Sequence, residues 1–294
     1  MSYDVIIIGG SYAGMAAALQ LVRARQSVLI IDAGQRRNRF ASHSHGFLGQ
    51  DGADPAAIAR KARAEVDAYP SSTFVDGLAV GISGERDRFS VSTEAGKDYS
   101  CRRILLATGV ADRLPRIDGL SDRWGKSVFH CPYCHGYELD QGRIGVIAAG
   151  DMSAHQAGLL TQWGQVTFLV NGVSALDDMT RTGLEDRGVT IEERPIEKIS
   201  AVADVHLAGG AVLKFAGLFS APYCTPATPL ASDAGCELEE TMMGVQIRTS
   251  ETKETSVAGI FACGDTARIP HSVSLAVGDG AMAGAMVHQS LVWS

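Results

Sequence analysis

The apolar positions of this chain fall into short unbroken runs separated by glycine-rich turns. Val5–Ile8 and Val28–Ile31 contain no polar residue, which is the pattern of parallel strands buried on both faces. Between them, Ala13 to Ala24 has helical composition. The stretch YDVIIIGGSYAGMAAALQLVRARQSVLIIDAG therefore reads as strand, glycine turn, helix and strand, a βαβ unit. A polar loop from Gln35 to Asp54 leads to a predicted helix over Pro55–Ala68, and short strands are predicted near Ser72–Val80, Phe89–Ser92 and Arg103–Ala107. After a polar connector, Asp112 to Lys126, the pattern begins again about 140 residues downstream. It predicts a strand at Ile144–Ala148, a turn at Gly150, a helix through Trp163 and a strand at Val166–Val170. Four more strands are predicted near Val189–Glu192, Ala203–Leu207, Val212–Phe215 and Gly217–Ser220. Beyond a second connector, Gly244 to Glu254, SVAGIFACGD gives a strand ending at Gly264 and Asp265, and SVSLAVGDGAMAGAMVHQSL gives a final helix.

This weak internal repeat predicts an α/β fold of two Rossmann-like three-layer nucleotide-binding domains, the second inserted into the first. The expected limits are 1–116 and 244–294 for the discontinuous domain and 117–243 for the insert. A chain of 294 residues, 46% of them hydrophobic, is long enough to bury two such cores. The net charge of −7, with no block of like charges, argues against a nucleic-acid or anionic-membrane partner. The first apolar run is too short for a signal core or a membrane span, so a soluble cytoplasmic protein is expected.

The first glycine turn, Gly9 to Gly14, has the form G-x-S-x-x-G. A dinucleotide fingerprint has glycine at the middle position so that backbone can approach a pyrophosphate seated on the helix N-terminus. Ser11 stands there; it is small and its hydroxyl can itself donate to phosphate. Asp32 closes the second strand where an acidic residue would bond a ribose hydroxyl. The second turn, AAGDMS at Ala148 to Ser153, keeps only its middle glycine, Gly150. The strand that follows ends in Val170, Asn171 and Gly172. It offers neither the acidic residue of an NAD site nor the arginines of an NADP site, which points to a retained fold without a nicotinamide cofactor.

The densest chemistry lies in HCPYCHGYE, residues 130 to 138. Cys131 and Cys134 are the one close pair among six cysteines. Cys101, Cys224, Cys236 and Cys263 stand singly and read as buried small hydrophobes. A zinc site needs four ligands, usually from two separated pairs; with no second pair, no metal is expected. A purely structural disulfide is unusual in a reducing compartment. A redox role has a mechanism: at a helix start the first thiolate is stabilised, and Pro132 suits a helix start. His135 can act as a base for thiol chemistry. His130 and Glu138 are secondary proton carriers, and His43, His45 and His271 are further histidines to place.

Taken together, the first glycine turn, Ala107-Thr108-Gly109, the C-x-x-C, the second nucleotide-like turn, GIFACGD and AVGDGA resemble the low-molecular-weight thioredoxin reductase family across essentially the whole chain. The resemblance implies FAD in the discontinuous domain, a redox dithiol in the inserted one, and a homodimer. By resemblance, Gly9, Ser11, Tyr12, Ala13 and Gly14 hold the FAD pyrophosphate and Asp32 the adenosine ribose. Ala107, Thr108 and Gly109 line the flavin nucleotide, Gly264 and Asp265 meet its ribityl or pyrophosphate end, and Ser272 and Val273 lie at the isoalloxazine edge. The loop from His43 to Gly46 is expected beside the flavin. Cys134 is expected to face the flavin and Cys131 the substrate. His135 stands where NADPH-dependent members carry an aspartate, and C-x-x-C-H-G is similar to the flavin dithiol oxidases that close disulfides in small natural products such as gliotoxin and holomycin. The implied activity is oxidation of a small dithiol by oxygen without NADPH. The alternatives are reduction of thioredoxin or a thioredoxin-like disulfide protein, fed by NADPH, ferredoxin or another donor, and a non-catalytic flavin redox sensor.

Overall fold

The computed structural model describes residues 2–150, 152–173 and 176–293. Met1 and Ser294, the outer ends of the expected first domain, and Asp151 of the second turn lie outside the described residues. The chain divides into two units. One comprises Met1–Arg39, Asp54–Ala111 and Thr225–Ser294; the other comprises Phe40–Ala53 and Asp112–Cys224. The chain thus crosses at 111/112 and 224/225, against expected limits of 117 and 243, and the polar segment 40–53 clusters with the second unit.

The first unit is built on a seven-stranded sheet in the order Ser72–Asp76, Val28–Asp32, Ser2–Ile8, Asp98–Leu106, Arg88–Thr93, Ala79–Glu85, with Ile260–Ala262 also pairing Asp98–Leu106. The central pairs are parallel: Val5 lies beside Val28 on one side and Arg103 on the other. Val5–Ile7 and Val28–Ile30 are fully buried, which is why these runs have no polar member. The helices Tyr12–Arg23 and Val273–Val292 pack together through small residues, with Gly280 against Ala13 and Gly284 against Ala17. The expected strand Ser72–Val80 is two strands, Ser72–Asp76 and Ala79–Glu85, broken at Gly77 (φ +159°). The expected connector from Gly244 opens instead as a strand, Gly244–Ile247, which forms a hairpin with Leu238–Thr241. Short polar hairpins bury one face at most, so they leave no apolar run to read.

The second unit holds a five-stranded parallel sheet in the order Thr190–Glu192, Gln165–Leu169, Arg143–Ile147, Gly217–Ser220, Val128–Phe129. Alternate side chains feed two cores: Ile144, Val146, Phe168 and Phe219 on one face, Ile147, Leu169 and Leu218 on the other. A three-stranded antiparallel sheet, Ile196–Ser200, Asp204–Leu207 and Val212–Lys214, covers the second of these faces. The helix expected to run through Trp163 stops at Leu160. The Gln162 and Trp163 N–H groups then close tighter turns onto Leu159 and Leu160 ahead of Gly164, a poor helix residue.

One buried arginine anchors the last helix to the first sheet. Arg103 is fully buried; its guanidinium donates to Asp87 Oδ1 (2.8 Å) and to the Ser290 carbonyl (2.7 Å) near the C-terminus of Val273–Val292. Asp87 is 45% exposed, so removing the guanidinium leaves it hydrated and costs chiefly the charge-assisted hydrogen bonds to Ser290, roughly 1.5–3 kcal/mol. Arg103→Met should therefore lower stability by about 2 kcal/mol, read as a shift in the urea unfolding midpoint; an unchanged midpoint would contradict this anchoring role.

Candidate active site

In the first unit, strand Ser2–Ile8 delivers Gly9 into the turn. A side chain on Gly9, at φ +105°, would meet the Ala107 carbonyl at 2.3 Å, and one on Gly14 would meet the Gly9 carbonyl at 1.9 Å. Glycine at both positions brings the turn, the end of the Asp98–Leu106 strand and the helix into contact. Ser11 is the N-cap of Tyr12–Arg23, yet its hydroxyl makes no capping hydrogen bond. Ala13 lies buried in the first turn. Tyr12 is held by its side chain: its hydroxyl donates to the Pro55 carbonyl (3.1 Å) and accepts from Asn38 Nδ2 (3.1 Å), and burial raises its pKa. Asp32 borders a cavity of about 480 Å³ with Gly10, Gly34, Arg36, Arg60 and Arg63.

The remaining cofactor candidates gather in the same unit. Thr108 Oγ1 lies 3.4 Å from Thr266 Oγ1, and Gly109 accepts from the Ala227 N–H. The Gly264 N–H donates to Asp279 Oδ2 (2.8 Å), and Asp279 is itself paired with Lys253 (2.5 Å), a buried arrangement that fixes the Gly264–Ala267 turn bearing Asp265. Ser272 caps the last helix by accepting the Leu275 N–H (3.2 Å), and Val273 is that helix's first residue.

Among the described residues, five buried polar atoms of this unit have no hydrogen-bond partner: Arg36 Nε, Asn38 Oδ1, Gln246 Oε1, Asp265 Oδ1 and Arg268 Nε. Buried groups of this kind call for a ligand or water. Those of Arg36, Asn38 and Asp265, together with the unused Ser11 hydroxyl and the cavity beside Asp32, fit a dinucleotide with ribose, pyrophosphate and ribityl groups to bond. Sequence reasoning missed Arg36, Arg37 and Asn38. Arg37 reaches both Asp265 Oδ2 (3.4 Å) and the buried His271 Nδ1 (2.9 Å), tying the start of the polar loop to the C-terminal segment. The available signal was two arginines and an amide directly behind the acidic end of a strand.

In the second unit Cys131 and Cys134 form a disulfide, with Cα atoms 5.3 Å apart. Cys131 is the N-cap and Pro132 the first residue of Pro132–His135. This helix is a single turn, so its dipole is small and gives less thiolate stabilisation than a long helix would. His135 stacks on Phe129, ring centroids 4.2 Å apart. A side chain on Gly136 would meet the Trp163 ring at 2.8 Å, so glycine is required there. Tyr133 lies edge-on to the same ring, centroids 5.4 Å apart. Burial, with a smaller contribution from His45, pushes the His135 pKa down to about 4. The ring is thus neutral at pH 7, rather than poised near neutrality as its residue type predicts. The 40–53 segment brings His45 between Asp51 (3.6 Å) and Glu138 (3.5 Å), and the His43 ring lies 6.2 Å from that of His45. His130 lies beside Trp124, and its carbonyl accepts from Gln156 Nε2 (2.7 Å). The four remaining cysteines are buried, and burial raises the thiol pKa of Cys101, Cys236 and Cys263, that of Cys101 to about 12. Thiols so placed are inert. No group of three or more metal-ligating side chains is arranged to hold an ion among the described residues.

The second turn differs from the first in what satisfies its backbone. Ser153, fully buried, accepts at its hydroxyl from both the Ala149 N–H (2.9 Å) and the Gly150 N–H (3.2 Å). Downstream, Arg181 is engaged by Glu193 and Arg194 by Glu192, and Arg187 donates to the Gly183 carbonyl.

Residues 3–280 match the family described as pyridine nucleotide-disulphide oxidoreductase. Thioredoxin reductase sirT of Leptosphaeria maculans is 33% identical, covering 97% of this chain and 93% of that protein. A crystal structure of an oxidoreductase from Agrobacterium tumefaciens shares 52% identity at a TM-score of 0.97, covering 100% of this chain and 99% of that one. The crystal structure of HlmI shares 34% identity at a TM-score of 0.92, covering 99% of this chain and 93% of that one. The chain belongs to the pyridine nucleotide-disulphide oxidoreductases and is an FAD-binding, thioredoxin reductase-like flavoenzyme.

Proposed function

We propose that this enzyme oxidises a small-molecule dithiol to a disulfide through Cys131 and Cys134, without a nicotinamide cofactor and with oxygen as final acceptor. One observation carries the reading. The N–H groups that a nucleotide-binding turn would offer to a pyrophosphate are bonded to the Ser153 hydroxyl at the second turn. The first turn, by contrast, keeps its Ser11 hydroxyl unused and sits beside unpartnered buried polar atoms. The engaged arginines downstream are consistent with this, because a 2′-phosphate needs free guanidinium groups.

In this reading a substrate thiolate attacks Cys131 Sγ, forming a mixed disulfide and releasing Cys134 as thiolate. The second substrate thiolate then attacks its partner sulfur in the mixed disulfide, leaving as the closed disulfide and freeing Cys131. Neutral His135 takes a proton from an incoming thiol. Its basicity is low while the pair is oxidised, and a neighbouring thiolate charge raises it as the pair is reduced, so proton uptake is coupled to electron uptake. Bound FAD supplies the acceptor for the electron pair that returns the dithiol to the disulfide. Gly9, Ser11, Tyr12, Ala13, Gly14, Asp32, Ala107, Thr108, Gly109, Gly264, Asp265, Ser272 and Val273 would hold it, joined by Arg36 and Asn38. We place the working form as a cytoplasmic homodimer with domains close to the two units of the fold. No described helix is long and apolar enough to cross a membrane.

Anaerobic titration of the yellow protein tests the reading. Small dithiols should bleach the flavin, NADPH should not, and readmitted air should restore the colour with hydrogen peroxide formed. Fast bleaching by NADPH would overturn it in favour of a reductase, and slow turnover with every donor in favour of a sensor. Cys131→Ser and Cys134→Ser should each retain the flavin spectrum while losing about 10³-fold or more in dithiol turnover. His135→Gln should lower turnover by about 10²-fold. The depressed His135 pKa also has a stability consequence. Between about pH 6.5 and about pH 4 the unfolded chain binds a proton at this ring that the folded chain does not, so stability falls as pH falls across that window. Urea midpoints measured from about pH 7 to about pH 4.5 should drop further for the wild type than for His135→Gln, by up to about 3 kcal/mol.

A further inference from the structure

We propose that Gln156 is a positioning residue that tunes the Cys131–Cys134 pair: its Nε2 holds the His130 carbonyl, and its Oε1 accepts the S–H that Cys131 acquires on reduction. The inference rests on the redox role of the pair proposed above.

Gln156 lies on the buried face of the helix Met152–Leu160, only 6% exposed, between Ser153 and Ala157. A glutamine in an apolar core is unfavourable unless both ends of its amide are bonded. One end is: Nε2 donates to the His130 carbonyl at 2.7 Å. Because a carbonyl only accepts, this bond also fixes which end of the amide is oxygen. The other end is not: Oε1 is buried and has no partner. Such an acceptor calls for a specific explanation.

The position of the tether supplies one. The His130 carbonyl carbon is bonded to the nitrogen of Cys131, so the amide is anchored at the peptide that enters the redox loop. In the oxidised chain no N–H of this loop bonds Oε1, neither sulfur of the disulfide carries hydrogen, and Pro132 has no N–H. Reduction changes this. A substrate dithiol and the disulfide exchange to give a substrate disulfide, Cys131–SH and Cys134–SH. One S–S bond breaks and another forms, and two electrons and two protons pass from the substrate to the pair. Cys131 is the residue nearest the tether along the chain that gains a donor. A hydrogen bond available only to the dithiol stabilises it over the disulfide and makes the pair a stronger oxidant. That is the direction required of an enzyme that takes electrons from thiols.

The test equilibrates flavin-loaded protein anaerobically in glutathione redox buffers, quenches in acid, and counts alkylated thiols by mass. Gln156→Met, similar in volume but unable to accept well, should shift the equilibrium about tenfold toward the disulfide, a potential lower by about 30 mV. Gln156→Glu supplies a second reading should Gln156→Met fail to retain FAD. A protonated carboxylic acid can both donate to the His130 carbonyl and accept from the thiol, so this variant should match the wild type at acid pH and depart from it as the carboxyl ionises. An equilibrium within about twofold of wild type for Gln156→Met, or no pH-dependent departure for Gln156→Glu, would overturn the proposal. A wild-type pair that glutathione cannot reduce would overturn instead the redox reading beneath it.

Discussion

A parallel strand that runs into a helix leaves the first backbone N–H groups of the turn without partners inside the helix, and the two halves of this chain satisfy them differently. The same βαβ design occurs twice. In the first turn glycine at 9 and 14 draws strand and helix together, and the Ser11 hydroxyl is not spent on the helix. In the second, Ser153 reaches back from within the helix and bonds two turn N–H groups itself. One hydroxyl, placed three residues beyond Gly150, thus satisfies two N–H groups of the second turn within the protein.

The redox loop is held by packing more than by regular structure. Pro132–His135 is one turn long and cannot support itself. Its geometry comes from the Phe129 ring under His135, the Trp163 ring against Gly136 and the Gln156 amide on the His130 carbonyl. Trp163 is free to do this because its helix ends at Leu160. The same enclosure that fixes the loop removes water from His135 and lowers its pKa to about 4, so structural support and proton affinity are linked through burial.

The cofactor unit shows the converse economy. Buried Arg103 bonds the last helix near its C-terminus at Ser290, and the buried Asp279–Lys253 pair fixes the Gly264 turn. Three of the unit's five unpartnered polar atoms among the described residues, Arg36 Nε, Asn38 Oδ1 and Asp265 Oδ1, stand among the residues that would hold FAD.

The amino-acid order alone determined the two βαβ units, the glycine turn ahead of the first helix, Asp32 at its strand end and the C-x-x-C, because each is a local pattern set by strand burial, turn sterics or thiol spacing. The short hairpins near Leu238–Thr241 and Gly244–Ile247 escaped it, since they bury too little to leave a periodic trace. Tertiary structure alone decided that segment 40–53 clusters with the redox loop and brings His45 to Glu138. It also decided that Arg36 and Asn38 hold buried unpartnered polar atoms and that burial lowers the His135 pKa to about 4. These outcomes depend on which distant surfaces exclude water from a side chain, a property that no window of neighbouring residues contains.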